Sequence, residues 1–302
     1  MRYIFTAILT ASVLFAGVLP SAIAESIYAL TVSHRLVSFD SATPGTLTSD
    51  FTISGLQNGE ALHGIDFRPA NSQLYGVSNL NNLYTLNTSS GAASLASSLS
   101  TPLNGTAFGV DFNPVVDRLR ITSNTAQNLR VNVDTGAAIV DGTLAYAAGD
   151  PRFGQNPTIV GSAYSNNVAG ATSTTLRDID SNFDILVVQN PANAGTLTSA
   201  GSLGVNTSDL VGYDVSGVTG TPYVSLTAPG AGSSQLYTLN ANGSASLVGT
   251  IGAGTTIVGL SAAPVSAVPE PATILLIGTG LAGIAAVACR RAKISAREAI
   301  SN

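Results

Sequence analysis

The chain has 302 residues, only 10% of them charged, with 31 Gly, one Cys, no Trp and a formal net charge of −5. That composition excludes a coiled coil, which needs Glu/Lys-rich heptads, and a disulfide scaffold, which needs more than one Cys. The negative balance argues against nucleic acid as a partner, because phosphate contacts demand Lys and Arg, while 45% hydrophobic residues supply the apolar area that long disorder lacks.

Met1-Arg2 gives a short positive start, and residues 3–19 are nearly all apolar or small. Ser21-Ala22-Ile23-Ala24 follows, with small residues at the −3 and −1 positions. This is the pattern of a secretory signal peptide over residues 1–24, cleaved after Ala24. Three strand-like runs come next, at 27–32, 35–39 and 47–51.

A repeat then sets the organisation. Leu62-His63-Gly64-Ile65-Asp66-Phe67 recurs as Ala107-Phe108-Gly109-Val110-Asp111-Phe112, Ile159-Val160-Gly161-Ser162-Ala163-Tyr164, Leu210-Val211-Gly212-Tyr213-Asp214-Val215 and Ile257-Val258-Gly259-Leu260-Ser261-Ala262. The glycines fall 45, 52, 51 and 47 residues apart, the period of a four-stranded propeller blade. After each of the first four stretches come three short alternating runs bounded by Gly, Asn, Asp and Pro, the strand-and-hairpin pattern. The fifth stretch has no strands after it, and the three N-terminal strands have no inner strand before them. Joining these two incomplete sets closes the ring and removes its open edges. The reading is all-β, a five-bladed propeller over residues 25–263 closed by the last strand. The alternative is six blades, with a degenerate one hidden in the long 145–157 insertion.

The middle of the chain also resembles a known family. Leu74-Tyr75-Gly76-Val77, Gly109-Val110-Asp111-Phe112-Asn113-Pro114, Asp117-Arg118-Leu119-Arg120, Gln189-Asn190-Pro191 and Gly195-Thr196-Leu197 are similar to the DUF4394 domain over roughly residues 27–262. The resemblance implies a propeller-like secreted domain and implies no activity.

Catalytic motifs are scarce. There is no G-x-S-x-G elbow and no H-E-x-x-H, and the only histidines are His34 and His63, on different blades. Asp66, Asp111 and Asp214 share one repeat position, two after the Gly, where inner strands line the channel. Three converging carboxylates could bind a cation such as Ca²⁺. The competing reading makes them structural, each locking a turn through a loop amide, with Pro69 and Pro114 marking the turns. Asp178-Ile179-Asp180-Ser181-Asn182-Phe183-Asp184 has calcium-loop spacing, but Phe183 stands where Gly is needed and Gln189 where Glu is needed, so it reads as a polar hairpin turn. Glu60 could serve as a glycosidase acid beside an inner Asp. Tyr28, Tyr75, Tyr84 and Tyr237 read as core residues before sugar platforms.

The C-terminal end reads Pro269-Glu270-Pro271, an apolar run over 272–289, then Arg290, Arg291 and Lys293. Residues 264–271 form a linker. Eighteen apolar or small residues at about 1.5 Å each just span a bilayer core as one helix, and the basic residues place the 290–302 tail in the cytoplasm. This order resembles the PEP-CTERM sorting signal of Gram-negative bacteria. The resemblance implies recognition by an exosortase, removal of the tail after transient anchoring, and release to the outer surface or the exopolysaccharide matrix. Between the two ends, residues 25–271 keep seven arginines against 16 acids, near −9, which repels anionic partners. The expected function is a non-enzymatic surface or matrix module binding a polysaccharide or a surface protein, with no cofactor beyond a Ca²⁺ ion. The alternative is a glycosidase or lactonase using the channel carboxylates.

Overall fold

The computed structural model describes residues 24–264. Within them the chain is all β apart from one 3-10 turn at Ala192–Ala194. β1 (Ser26–Thr31), β2 (Arg35–Asp40) and β3 (Leu47–Thr52) begin the first blade. β4 (Leu62–Arg68), β5 (Gln73–Ser78), β6 (Asn82–Leu86) and β7 (Ala93–Ser98) form the second. β8 (Phe108–Asn113), β9 (Arg118–Ser123), β10 (Asn128–Val131) and β11 (Ala138–Val140) form the third. β12 (Ala145–Tyr146) lies in the insertion, and β13 (Ile159–Tyr164), β14 (Leu176–Asp180), β15 (Ile185–Gln189) and β16 (Thr196–Ser202) complete the fourth. β17 (Val211–Val215), β18 (Pro222–Leu226), β19 (Gln235–Leu239) and β20 (Ala245–Thr250) form the fifth, and β21 (Ile257–Ala262) closes the ring.

Each blade is an antiparallel meander. The turns use residues that accept left-handed backbone: His34, Asn81, Asp117 and Asp184 all have positive φ, a conformation that Asn and Asp tolerate through local hydrogen bonds. The closing strand joins the first blade as the sequence requires. β21 pairs antiparallel with β1, placing Ile27 opposite Ala262 and Ala29 opposite Leu260. The ring therefore has five blades and no sixth. The 145–157 insertion instead contributes β12, which pairs parallel with β16 through Ala145↔Thr196 and Tyr146↔Leu197. It covers the outer edge of the fourth blade.

Burial falls outward along each blade. All six residues of β13 are buried, whereas outermost β3 alternates half-buried and exposed positions. An inner strand packs on both faces, and an outer strand meets solvent on one side. The apolar core lies between blades. Tyr75, Val77 and Leu83 of the second blade pack on Phe108, Val110 and Phe112 of the third, and Ile27 and Phe39 of the first pack on Tyr223 and Leu236 of the fifth. A polar group bridges the third and fourth blades. The Arg120 guanidinium, 1% exposed, donates to Tyr164 Oη (3.2 Å), Asn128 Oδ1 (2.7 Å), Asp141 Oδ2 (2.7 Å) and Asn193 Oδ1 (2.8 Å). The signal peptide, the sorting motif Pro269-Glu270-Pro271, the apolar span and the basic tail lie outside the described residues. No helix among the described residues is long and apolar enough to cross a membrane.

Candidate functional site

The five repeat glycines sit where the inner strands converge on the axis, and they explain why the axis is closed. A Cβ built on Gly109 would lie 2.4 Å from Ser162 Oγ, and one on Gly212 would lie 2.6 Å from Leu260 N. Only a residue without Cβ lets neighbouring inner strands approach this far. The remaining axial space is a cavity of about 10 Å³ lined by all five glycines, room for about one water. The open channel expected from a propeller is absent here.

Two residues beyond each glycine, the strands fasten to one another. Asp66 Oδ2 accepts from Phe112 N (2.7 Å), Asp111 Oδ1 from Tyr164 N (3.0 Å) and Asp214 Oδ2 from Ala262 N (2.7 Å). Ser261 Oγ, at the same repeat position, accepts from Phe67 N (3.2 Å). In each case the side chain takes the backbone amide three residues past the glycine of the next inner strand. The fourth blade has Ala163 there and makes no such clasp. The amide it would have served, Val215 N, donates to Asp214 Oδ1 of its own strand (2.6 Å). The aspartates thus bind amides of the neighbouring blade rather than the turn amides that Pro69 and Pro114 suggested. The repeat position is set by blade-to-blade closure.

The structure brings Asp66, Asp111 and Asp214 together, with one carboxylate oxygen from each within 4.8 Å of the others. Ser261 Oγ also bonds Asp66 Oδ1 (2.7 Å) and Asp214 Oδ2 (3.1 Å). The three are 1%, 0% and 0% exposed. Burial pushes all three carboxyls up, Asp66 and Asp111 well above the ordinary range, with the neighbouring carboxylates adding to burial at those two. Nothing larger than water reaches them, so they cannot touch a glycosidic bond.

An open cavity lies at one end of the axis, where the inner strands begin. It measures about 360 Å³ and is lined by His34, Leu62, His63, Thr106, Phe108, Asp209, Leu210 and Val258, among others. His34 reaches it from the β1–β2 turn and His63 from the start of β4. The His63 ring tilts over Phe108 at 5.0 Å between centroids. Burial lowers the His63 pKa, and the nearby His34 lowers it further. Asp209 is held in place by Ser181 Oγ (2.6 Å) and Asn124 Nδ2 (3.2 Å). Sequence reasoning missed this site because it counted the histidines by blade. The signal was available in the strand directions. A second-to-third-strand turn lies at the same end of a blade as the start of its inner strand, so His34 and His63 had to meet there.

Other candidates are absorbed by structure. Glu60 accepts from Ser78 Oγ, Tyr84 Oη (2.6 Å), Gln57 N (2.9 Å) and Asn82 Nδ2 (3.0 Å). Burial pushes its carboxyl up, but these bonds outweigh it and hold the carboxyl below its usual range. That is the opposite of what a general acid needs. The 178–184 segment is the end of β14 and the hairpin turn to β15. Asp180 bonds Tyr146 Oη and Asn182 N, while Asp184 Oδ1 accepts from Thr207 N (2.7 Å). Tyr75, Tyr84 and Tyr237 are buried, and Tyr28 packs edge-on against Phe67.

No curated protein matches the chain. Among solved structures it is similar to a structural-genomics protein of unknown function from Bacteroides thetaiotaomicron, at 15% identity over 75% of this chain and 58% of that one, TM-score 0.48. It is similar to the Dos1 propeller at 13% identity, 70% and 53% coverage and TM-score 0.38. Myxococcus xanthus glutaminyl cyclase is similar at 10% identity, 67% and 91% coverage and TM-score 0.40. The chain spans little more than half the length of the first two, and at these TM-scores the likenesses carry no argument about activity. Two family models match: the PEP-CTERM protein-sorting motif at residues 267–291, which indicates exosortase-dependent export, and the domain of unknown function DUF4394 at residues 35–261. With three quarters of its length inside the second match, the chain belongs to the DUF4394 family.

Proposed function

We propose that this is an exported, non-catalytic propeller that binds a glycan at the axial mouth, on the outer surface or in the exopolysaccharide matrix of a Gram-negative cell. The observation that carries the reading is the cavity of about 360 Å³, which falls in the volume range of small-ligand sites, about 300–1,000 Å³. Its lining suits a sugar ring. Phe108, Leu62 and Leu210 offer apolar surface to the C–H face, and His34, His63, Thr106 and Asp209 offer donors and acceptors to hydroxyls. A His63 ring held neutral by its low pKa can both donate and accept.

The direction of the last strand bears on access to the mouth. β21 begins at the mouth with Ile257 and ends at the opposite end of the axis with Ala262. The described chain therefore ends on the face away from the cavity and leaves the mouth uncovered by residues 263–264. The burial of Asp66, Asp111 and Asp214 weighs against the glycosidase and lactonase readings, since both rest on these carboxylates touching substrate. The test is a glycan array probed with the full chain and with His63→Ala. Retention of a polysaccharide by the first, weakened about tenfold or more in the second, supports the reading. Equal retention by both, or none by either, overturns it.

A further inference from the structure

Three buried carboxyls meet at the axis with no cation to answer them. The ion pairs among the described residues join Arg35, Arg68, Arg120 and Arg130 to other aspartates. Two species could balance the charge: protons or a metal ion. Asp66 accepts hydrogen bonds at both oxygens, from Ser261 Oγ and from Phe112 N. Asp214 also accepts at both, from Val215 N and Asn167 Nδ2 on one side and Ala262 N on the other, while the one Ser261 Oγ proton serves either Asp66 or Asp214. An ionised carboxylate has about four lone-pair positions, so a metal ion can bind it without breaking those bonds.

A separate observation points the same way. Asp111 is wholly buried, its Oδ1 takes the Tyr164 amide, and its Oδ2 has no partner. Asp214 lies within side-chain hydrogen-bonding reach of it, a bond that forms only with a proton on one of the two. An orphaned charged oxygen at zero exposure is costly unless something binds it.

We propose that Asp66, Asp111 and Asp214 hold a calcium ion that pins three of the five inner strands together. Oxygens on one Ca²⁺, each about 2.3–2.6 Å from the ion, lie at most about 4.6–5.2 Å apart, and the three carboxylate oxygens fall within 4.8 Å of one another. Ser261 Oγ is a neutral oxygen within hydrogen-bond distance of two of them. The all-oxygen set is hard, as Ca²⁺ requires. The ion is structural and sits below the glycine constriction, so the proposal stands apart from ligand binding at the mouth.

The experiment uses the full chain and calcium alone. Metal content is measured after dialysis against calcium-free buffer, and thermal melts are run with EDTA and with millimolar calcium. About one calcium per chain, or a calcium-dependent rise in Tm of about 5 °C or more, supports the site. The rise must disappear in Asp111→Asn, which keeps the Oδ1 acceptor for Tyr164 N and removes the charge. Less than about a tenth of a calcium per chain together with identical melts overturns the proposal, as does an equal rise in Asp111→Asn. Should that variant fail to fold, the wild-type metal content and melts decide alone.

Discussion

The axis and its mouth share inner strands, their residues only a few positions apart, and their chemistry is opposite. On β4, Gly64 and Asp66 disappear into the closed axis while His63 lines an open cavity. Inside, each of the three aspartates serves another blade: Asp66 clasps the third, Asp111 the fourth and Asp214 the first. At the mouth, His34, His63 and Thr106 line an open cavity. A side chain committed to closing the ring cannot also reach a ligand at the mouth. Carboxylates at a repeat position therefore argue for architecture, and the unrepeated residues around the mouth argue for function.

This contrast predicts that interior changes cost stability and that mouth changes cost binding. Arg120→Met should show the largest effect, a loss of about 3–5 kcal/mol in denaturant melts. It removes the buried partner of Asp141, which keeps only the half-buried Arg130, and takes the donor from Asn193 Oδ1. Asp178 should act in the opposite direction. Burial raises its carboxyl to about 7, so the folded state holds a proton that the unfolded state releases near pH 4. Stability should then fall as pH rises from about 4 to about 7 and stay low above that range. Asp178→Asn should remove its share of this slope, to which the raised Asp66, Asp111 and Asp214 also contribute, and stabilise the domain at alkaline pH by roughly 3 kcal/mol, part of the full shift being offset by the amide's own unmet bonds. An equal pH dependence of melting in the wild type and in Asp178→Asn would contradict it.

Gly212→Ala should cost about 2–3 kcal/mol, because its Cβ meets Leu260 N and Gly259 C at 2.6 and 2.7 Å. Gly232→Ala, with nothing within 4 Å, should change stability by less than about 0.5 kcal/mol. Equal effects at these two positions would show that the axis is looser than described. His63→Ala should have the smallest effect on melting, within about 1 kcal/mol, and the largest on ligand retention.

Much of the architecture was legible because a propeller repeats. The Gly positions fixed blade length, and the unmatched strands at the two ends, now β1–β3 and β21, fixed the closure. The 145–157 insertion was harder. Ala145 and Tyr146 pair in parallel with β16, and short edge pairing of this kind has no periodicity to read. The aspartates were legible as a set, but their partners were not. An amide three residues past the next glycine lies 46, 53 or 48 residues away in the chain, beyond any local turn rule. The cavity was hidden for the same reason, since His34, His63 and Asp209 belong to three blades and meet only when the ring closes.

The central claim is that the closed axis holds the fold and the mouth holds the ligand. The most direct measurement is polysaccharide binding by the full chain, by His63→Ala and by Asp66→Asn, each checked first for a cooperative melt. The prediction is that His63→Ala loses binding by about tenfold or more while Asp66→Asn, if folded, binds as the wild type does. A folded Asp66→Asn that no longer binds, beside a His63→Ala that binds normally, would contradict the account and return function to the axial carboxylates.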